Sequence, residues 1–218
     1  MTHNLFTCSK LTFAGLLIGT TGAFAQFGTL PKTVSSASAT TAIVGATSAA
    51  DSAATKLDQA IMASGKGDKA ATVSALNAGI AAAEAQATSS KGDFGGKLMN
   101  QVGNLKKLIP GVESGAVSGN VLTKAVSLVK MALGANQISS LLGGGGSLLG
   151  SVGALTGGLN LLKGGLPSLG GEAASTGSSL IGTALSGVSK LGGLGGAAAE
   201  PAVKQQLGGV LNFAKGIL

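Results

Sequence analysis

The sequence contains no arginine, tryptophan or tyrosine, and it has a single histidine, His3, and a single cysteine, Cys8. Both lie within the first ten of the 218 residues. The rest of the chain therefore lacks the side chains that most often act as acids, bases or nucleophiles near neutral pH, and it cannot form an internal disulfide. We expect a protein that is not an enzyme and that binds neither a metal nor a cofactor.

Residues 1–25 have the three-part pattern of a secretory signal peptide. A basic region ends at Lys10, an apolar stretch follows from Leu11 to Gly19, and small residues stand at Ala23 and Ala25. We predict cleavage after Ala25, because the apolar stretch is shorter than the roughly 20 residues of a membrane span. Export to a periplasm, outer envelope or extracellular space follows. The sequence has no Asn-x-Ser/Thr glycosylation site, which favours a bacterial origin.

The first part of the exported chain divides into a linker and a helical domain. Residues 26–50 are mainly Ser, Thr and Ala and are interpreted as a linker, although alanine also allows a helix to run back from Asp51. Residues 51–133 are predicted to form the helical domain. It begins with a hairpin of two helices, whose turn is Ser64-Gly65-Lys66-Gly67 and whose second helix is capped by Asp68 and ends near Ser89.

Two further helices are predicted in the same domain. The third starts after Asp93, whose carboxylate can cap it, and it ends at Pro110-Gly111. Its apolar stripe is the clearest in the sequence and consists of Phe94, Leu98, Val102, Leu105 and Ile109. The fourth helix runs from about Asn120 to Leu133.

Most of the net positive charge lies between residues 91 and 130, which include six lysines and two acidic residues. Proteins that bind nucleic acid usually add arginine and aromatic residues, so we expect no nucleic-acid partner. Diffuse lysine charge fits an anionic lipid or an anionic envelope polymer better. The residues expected to contact such a surface are Lys97, Lys106, Lys107, Lys124 and Lys130.

The composition changes after Leu133, since 23 of the last 85 residues are glycine. Residues 134–199 form a Gly/Leu-rich region of low complexity, for which we predict short helices broken at glycines such as Gly143–Gly146. Glycines four residues apart share a helix face and allow close helix packing. The glycines at this spacing are Gly146 and Gly150, Gly153 and Gly157, and Gly192 and Gly196.

A terminal amphipathic helix is predicted over residues 200–218, with Pro201 in its first turn. Its apolar face consists of Leu207, Val210, Leu211, Ala214 and Leu218. Such a helix can dock on its own domain or lie in a membrane interface, and the sequence leaves both alternatives open.

Motifs for catalysis and metal binding are weak. Ser127-x-x-Lys130 matches the Ser-x-x-Lys of serine acylases, but the Ser-Asp-Asn and Lys-Thr-Gly elements that accompany it are missing. The eight acidic residues are scattered and have no calcium-loop spacing.

The sequence thus predicts a mainly α fold, in which a small helical-hairpin or bundle domain precedes a Gly/Leu-rich region of short broken helices. The favoured function is a non-catalytic exported protein that associates with a membrane or with itself through its Gly-rich half. A secreted membrane-permeabilising toxin and a structural matrix or fibre protein are the alternatives.

Overall fold

The computed structural model describes residues 38–90, 92–193 and 196–218, with side chains from residue 49 onwards. The predicted signal peptide and residues 26–37 of the predicted linker lie outside this part of the chain. The described residues form seven α-helices and contain no strand, which confirms the mainly α prediction. The helices are α1 (Ser38–Gly65), α2 (Lys69–Ser89), α3 (Asp93–Ser114), α4 (Gly119–Gly143), α5 (Val152–Gly165), α6 (Gly171–Leu191) and α7 (Gly196–Ile217).

Helices α1 and α2 lie where the sequence predicts the two helices of the hairpin. Helix α1 ends at Gly65, and Gly67 takes a left-handed conformation with φ of +74° that suits glycine. The Asp68 carboxylate then accepts a hydrogen bond of 2.9 Å from the backbone N–H of Ala71, as an N-cap does. Helix α1 begins at Ser38, so residues 38–50 are helical and not the linker that the sequence analysis favoured. The helix runs back from Asp51 because alanine supports it.

Helix α3 is longer than predicted and starts differently. It continues through Pro110 to Ser114, so the predicted end at Pro110-Gly111 is wrong. Proline removes one backbone donor, and burial of Val112 favours the additional turn, which Gly115 ends with φ of +83°. Gly92 occupies the N-cap position without a side-chain cap, so the predicted cap by Asp93 is also wrong. That carboxylate instead pairs with Lys215.

The buried apolar residues form two clusters that share α4. The first cluster is built from α1, α2, α3 and the first part of α4, and the second from Phe94, the second part of α4, α5, α6 and α7. All eight residues from Met131 to Ile138 are buried. The predicted domain boundary between residues 133 and 134 therefore lies inside α4, ten residues before this helix ends at Gly143.

The Gly-rich half contains longer helices than the glycine content suggested. A break does occur at Gly143–Gly146, where Gly145 has φ of +66°, and short 3₁₀ turns span Leu148–Ser151 and Leu166–Ser168. Helix α5 has only 14 residues, but α6 has 21 and α7 has 22. Tertiary packing offsets the low helix propensity of glycine, because several glycines lie where another helix approaches closely.

The terminal helix docks on its own domain. It begins at Gly196, so Pro201 is its sixth residue and not part of its first turn as predicted. Val203, Leu207, Val210 and Ala214 are buried in the second cluster. Among the described residues, α4 alone is long and apolar enough to cross a membrane, and most of its apolar stretch is buried between the other helices.

Candidate association surface of the Gly-rich half

The five lysines expected to contact an anionic surface do not form one basic face. Lys130 donates to both carboxylate oxygens of Asp58 at 2.8 and 2.9 Å, and Lys106 forms an ion pair with Glu84. Lys97 donates to the backbone carbonyl of Lys215 at 3.2 Å. Lys107 and Lys124 are exposed and form no ion pair with any residue that the structure describes.

Helix geometry separates these lysines further. Lys97 and Lys106 are nine residues apart on α3, which at 3.6 residues per turn places them on opposite sides of the helix, about 180° apart. Lys124 and Lys130 are six residues apart on α4 and point about 120° from each other. The positive charge is therefore distributed around the molecule.

The Ser-x-x-Lys motif also has its polar atoms engaged in contacts within the fold. The Ser127 hydroxyl is buried and lies 2.6 Å from the hydroxyl of Ser168, which follows α5. The Lys130 ammonium is held by the Asp58 carboxylate at 2.8 Å. The contacts of this motif therefore link α1, α4 and the 3₁₀ turn that follows α5.

Of the glycines expected at helix contacts, Gly146, Gly150 and Gly153 have no other atom within 4 Å of the place where a Cβ would stand. The equivalent points at Gly157 and Gly192 have neighbours only at 3.6 to 4.0 Å. Gly196 is the exception, because a Cβ there would overlap Leu149 and the carbonyl of Leu191. The structure thus uses one of the six for a close approach.

Other glycines carry the close helix packing of this half. A Cβ at Gly134 on α4 would overlap the carbonyl oxygen of Gly158 on α5, and one at Gly165 would overlap Met131. A Cβ at Gly177 would lie 2.6 Å from both Leu166 and Phe213. Gly158 and Gly165 are seven residues apart, two helical turns, and this spacing is the signal by which the sequence could have revealed them.

Helix α6 has one buried side and one side that faces outwards. Ile181, Ala184, Val188 and Leu191 are buried in the second cluster. The opposite side consists of exposed small residues, namely Ser175, Ser178, Ser179, Gly182, Thr183, Ser186 and Ser189. We call this set the α6 outer face. A Cβ at Gly182, in its centre, would have no neighbour within 4 Å.

The charges of α6 are confined to its ends. Glu172 lies in the first turn and Lys190 in the last, which suits the helix dipole, and the 17 residues between them are uncharged. The exposed side of a helix in water usually carries charged residues with good helix propensity. The α6 outer face has no charged residue, and its Ser, Thr and Gly residues have low helix propensity. Solubility and helix stability therefore do not account for its composition.

A cleft of about 190 Å³ borders this face between α6 and α7. Its α6 side includes Thr183, Ser186 and Lys190, and the small side chain of Ala202 and the amide of Gln206 line its α7 side. The Gln206 amide oxygen is buried over Gly187 and accepts no hydrogen bond from the described residues. The volume is below the roughly 300 Å³ at which small-molecule pockets begin, and it fits one or a few side chains.

The first turns of α7 are fixed by a small polar cluster around Glu200. Lys204 lies 2.8 Å from its carboxylate, and the Ser147 hydroxyl donates to the same group at 2.9 Å. Both contacts lower the pKa of Glu200, with that of Lys204 as the larger cause. The ionised carboxylate thus connects α7 to the turn that follows α4.

This cluster predicts a loss of stability in acid. Because the pKa of Glu200 is lower in the folded than in the unfolded protein, its contribution is complete above the ordinary glutamate pKa of about 4.3 and disappears as the pH falls through the lowered value. We expect Glu200→Gln to lower the melting temperature at pH 7 and to have a decreasing effect below pH 4. Thermal unfolding followed by circular dichroism between pH 3 and 7 measures this. An equal effect at every pH would contradict the assignment.

The end of α7 is fastened to α3 by a second set of polar contacts. Lys215 pairs with Asp93 at 3.1 Å, and its ammonium lies 5.7 Å from the centre of the Phe94 ring. Gln101 donates to the carbonyl of Leu218 at 3.3 Å. Together with the hydrogen bond from Lys97 to the Lys215 carbonyl, these interactions hold the end of α7 against α3.

Comparison of the chain with protein-family models, with curated proteins and with solved structures finds no match.

Proposed function

We propose that the protein is a non-catalytic exported protein that acts by association, and that the contact surface is the outer side of its Gly-rich half. The observation that carries the proposal is the α6 outer face, a run of exposed small residues without charge beside a cleft that fits a side chain. Small residues on an exposed helix allow another backbone to approach closely. Export is the prediction from residues 1–25.

The packing of the second cluster favours this surface over insertion of apolar residues into a bilayer. Leu155, Leu159, Leu162 and Ile181 are buried in that cluster. Leu149 is the one large apolar side chain that this half exposes among its described residues. A membrane-permeabilising action would require α6 and α7 to separate from α4 and α5, whereas association through the α6 outer face requires no rearrangement.

The experiment compares the purified protein with its Gly182→Lys variant. A lysine at this position has space in the fold, because nothing lies within 4 Å of a Cβ there, so the variant should remain folded. Self-association is measured by sedimentation velocity up to about 200 µM, and surface association by flotation with vesicles of phosphatidylglycerol and phosphatidylethanolamine. We expect association that Gly182→Lys reduces by at least tenfold. A protein that stays monomeric and ignores vesicles would overturn the proposal.

A variant at another open glycine serves as the matched control. Gly103 lies on α3, and a Cβ there also has no neighbour within 4 Å. Gly103→Lys adds the same charge and side chain outside the Gly-rich half, and it should leave association unchanged. If both variants weakened association equally, the effect would come from net charge and not from the α6 outer face.

A further inference from the structure

The order of residues on α6 is symmetric about Gly182. Ser175, Ser178, Ser186 and Ser189 stand at positions −7, −4, +4 and +7 relative to this glycine, and all five residues are exposed. These offsets are close to whole helical turns, so the five residues lie on one side of α6. A helix with such a pattern presents the same small surface when its direction is reversed.

The charges at the two ends of α6 are complementary to those of a second α6 helix that runs in the opposite direction. Glu172 and Lys190 are 18 residues apart, which is five turns of an α-helix, so they lie on the same side of α6. In an antiparallel pair with a two-fold axis at Gly182, Lys190 of one copy stands about 3 Å along the axis from Glu172 of the other. Two opposite-charge pairs form, one at each end. A parallel pair would place each of these charges level with its own copy, and it would form no opposite-charge pair.

Neither charge has a competing ion-pair partner within residues 49–90, 92–193 and 196–218. Glu172 and Lys190 form no ion pair with any residue in the described part of the chain. Lys190 also lines the cleft in which the Gln206 amide oxygen lacks a donor. The reversed helix of a second copy would bring the hydroxyl of Ser178 opposite Ser186, at the edge of this cleft.

We propose that the partner of the α6 outer face is a second copy of this chain, bound through an antiparallel α6–α6 contact centred on Gly182, with Glu172 of each copy beside Lys190 of the other. This inference rests on the proposed function and names the partner of the same surface. One helix pair and its adjoining clefts bury less than the roughly 1,600 Å² of a standard interface, so the dimer is weak. We expect a dissociation constant of micromolar order or higher.

Charge reversal tests the arrangement directly. Glu172→Lys places like charges together at both ends of the antiparallel pair, and so does Lys190→Glu. We expect each single variant to weaken dimerisation at least tenfold in sedimentation velocity at low salt. An equimolar mixture of the two variants restores both opposite-charge pairs and should dimerise within about threefold of the unchanged protein. Since both residues are exposed, melting curves should show that the variants remain folded.

The outcomes separate this inference from the proposed function. A parallel pair would predict no weakening by either single variant, and single variants that associate like the unchanged protein would overturn the antiparallel pair. If Gly182→Lys abolishes association while charge reversal has no effect, the α6 outer face is the association surface. The antiparallel contact with a second copy is then wrong. Vesicle flotation by a monomer would likewise overturn the second copy as partner. Failure of the unchanged protein to associate with itself or with vesicles would overturn both proposals.

Discussion

Replacing Leu159 with alanine should lower the free energy of unfolding in water by about 2 to 5 kcal/mol. Leu159 lies on α5 in the Gly-rich half, and its side chain is 0% exposed within the second cluster. The substitution removes buried methyl groups and leaves a cavity that neighbouring helices fill only in part. Most single domains have a total stability of only about 5 to 15 kcal/mol, so the loss would be large.

The measurement is urea unfolding of the purified protein, followed by circular dichroism, with Leu149→Ala as the matched control. Leu149 is in the same half but is 43% exposed, so its truncation should cost less than about 1 kcal/mol. Equal effects of the two substitutions would mean that the Gly-rich half has no fixed core in water. In that case its leucines would be available for membrane insertion, and the toxin alternative would regain support.

Replacing Gly134 with alanine should destabilise the protein by about 3 kcal/mol, although alanine normally stabilises a helix relative to glycine. A Cβ at this position would overlap the carbonyl oxygen of Gly158, and it would lie 3.1 Å from both Leu161 and the backbone nitrogen of Leu162. Two of these three atoms belong to the backbone of α5, so a side-chain rotation cannot relieve the overlap. Helices α4 and α5 would have to move apart.

The control for this prediction is Gly182→Ala, which exchanges the same residues on a helix where the Cβ meets nothing. It should stabilise the monomer by up to about 1 kcal/mol, in line with the helix propensities. Chemical unfolding of both variants at a concentration below dimerisation gives the difference. A Gly134→Ala variant as stable as the unchanged protein would show that a Cβ at this position fits between α4 and α5.

Local features of the fold could be predicted from the sequence because their causes lie within a few residues. The Asp68 cap, the turn at Gly67 and the break at Gly143–Gly146 each depend on the conformational preference of a short segment. Four of the five residues of the predicted stripe on α3 are buried, namely Phe94, Leu98, Val102 and Leu105, and Ile109 is partly buried against the first cluster. These features fix the turn between α1 and α2 and the break after α4, but they do not fix how the helices pack.

The features that the sequence did not predict depend on contacts between residues that are distant in the chain. Asp93 would have served as a cap by local rules, but its carboxylate pairs with Lys215, which lies 122 residues later in the chain. Gly134 has no special pattern in the sequence, and its role arises only when α4 and α5 pack together. The exposure of the α6 outer face likewise could be established only from the fold.

The position of α4 determines which truncations of the protein preserve its fold. Both hydrophobic clusters are closed by this single helix, which supplies Val126 and Val129 to the first and Met131, Ala135 and Ile138 to the second. A deletion that ends the chain near residue 133 would divide the helix and leave apolar surface uncovered on each fragment. The halves are therefore structurally dependent on each other, and a shortened protein that stays soluble must keep α4 together with the helices on both of its sides.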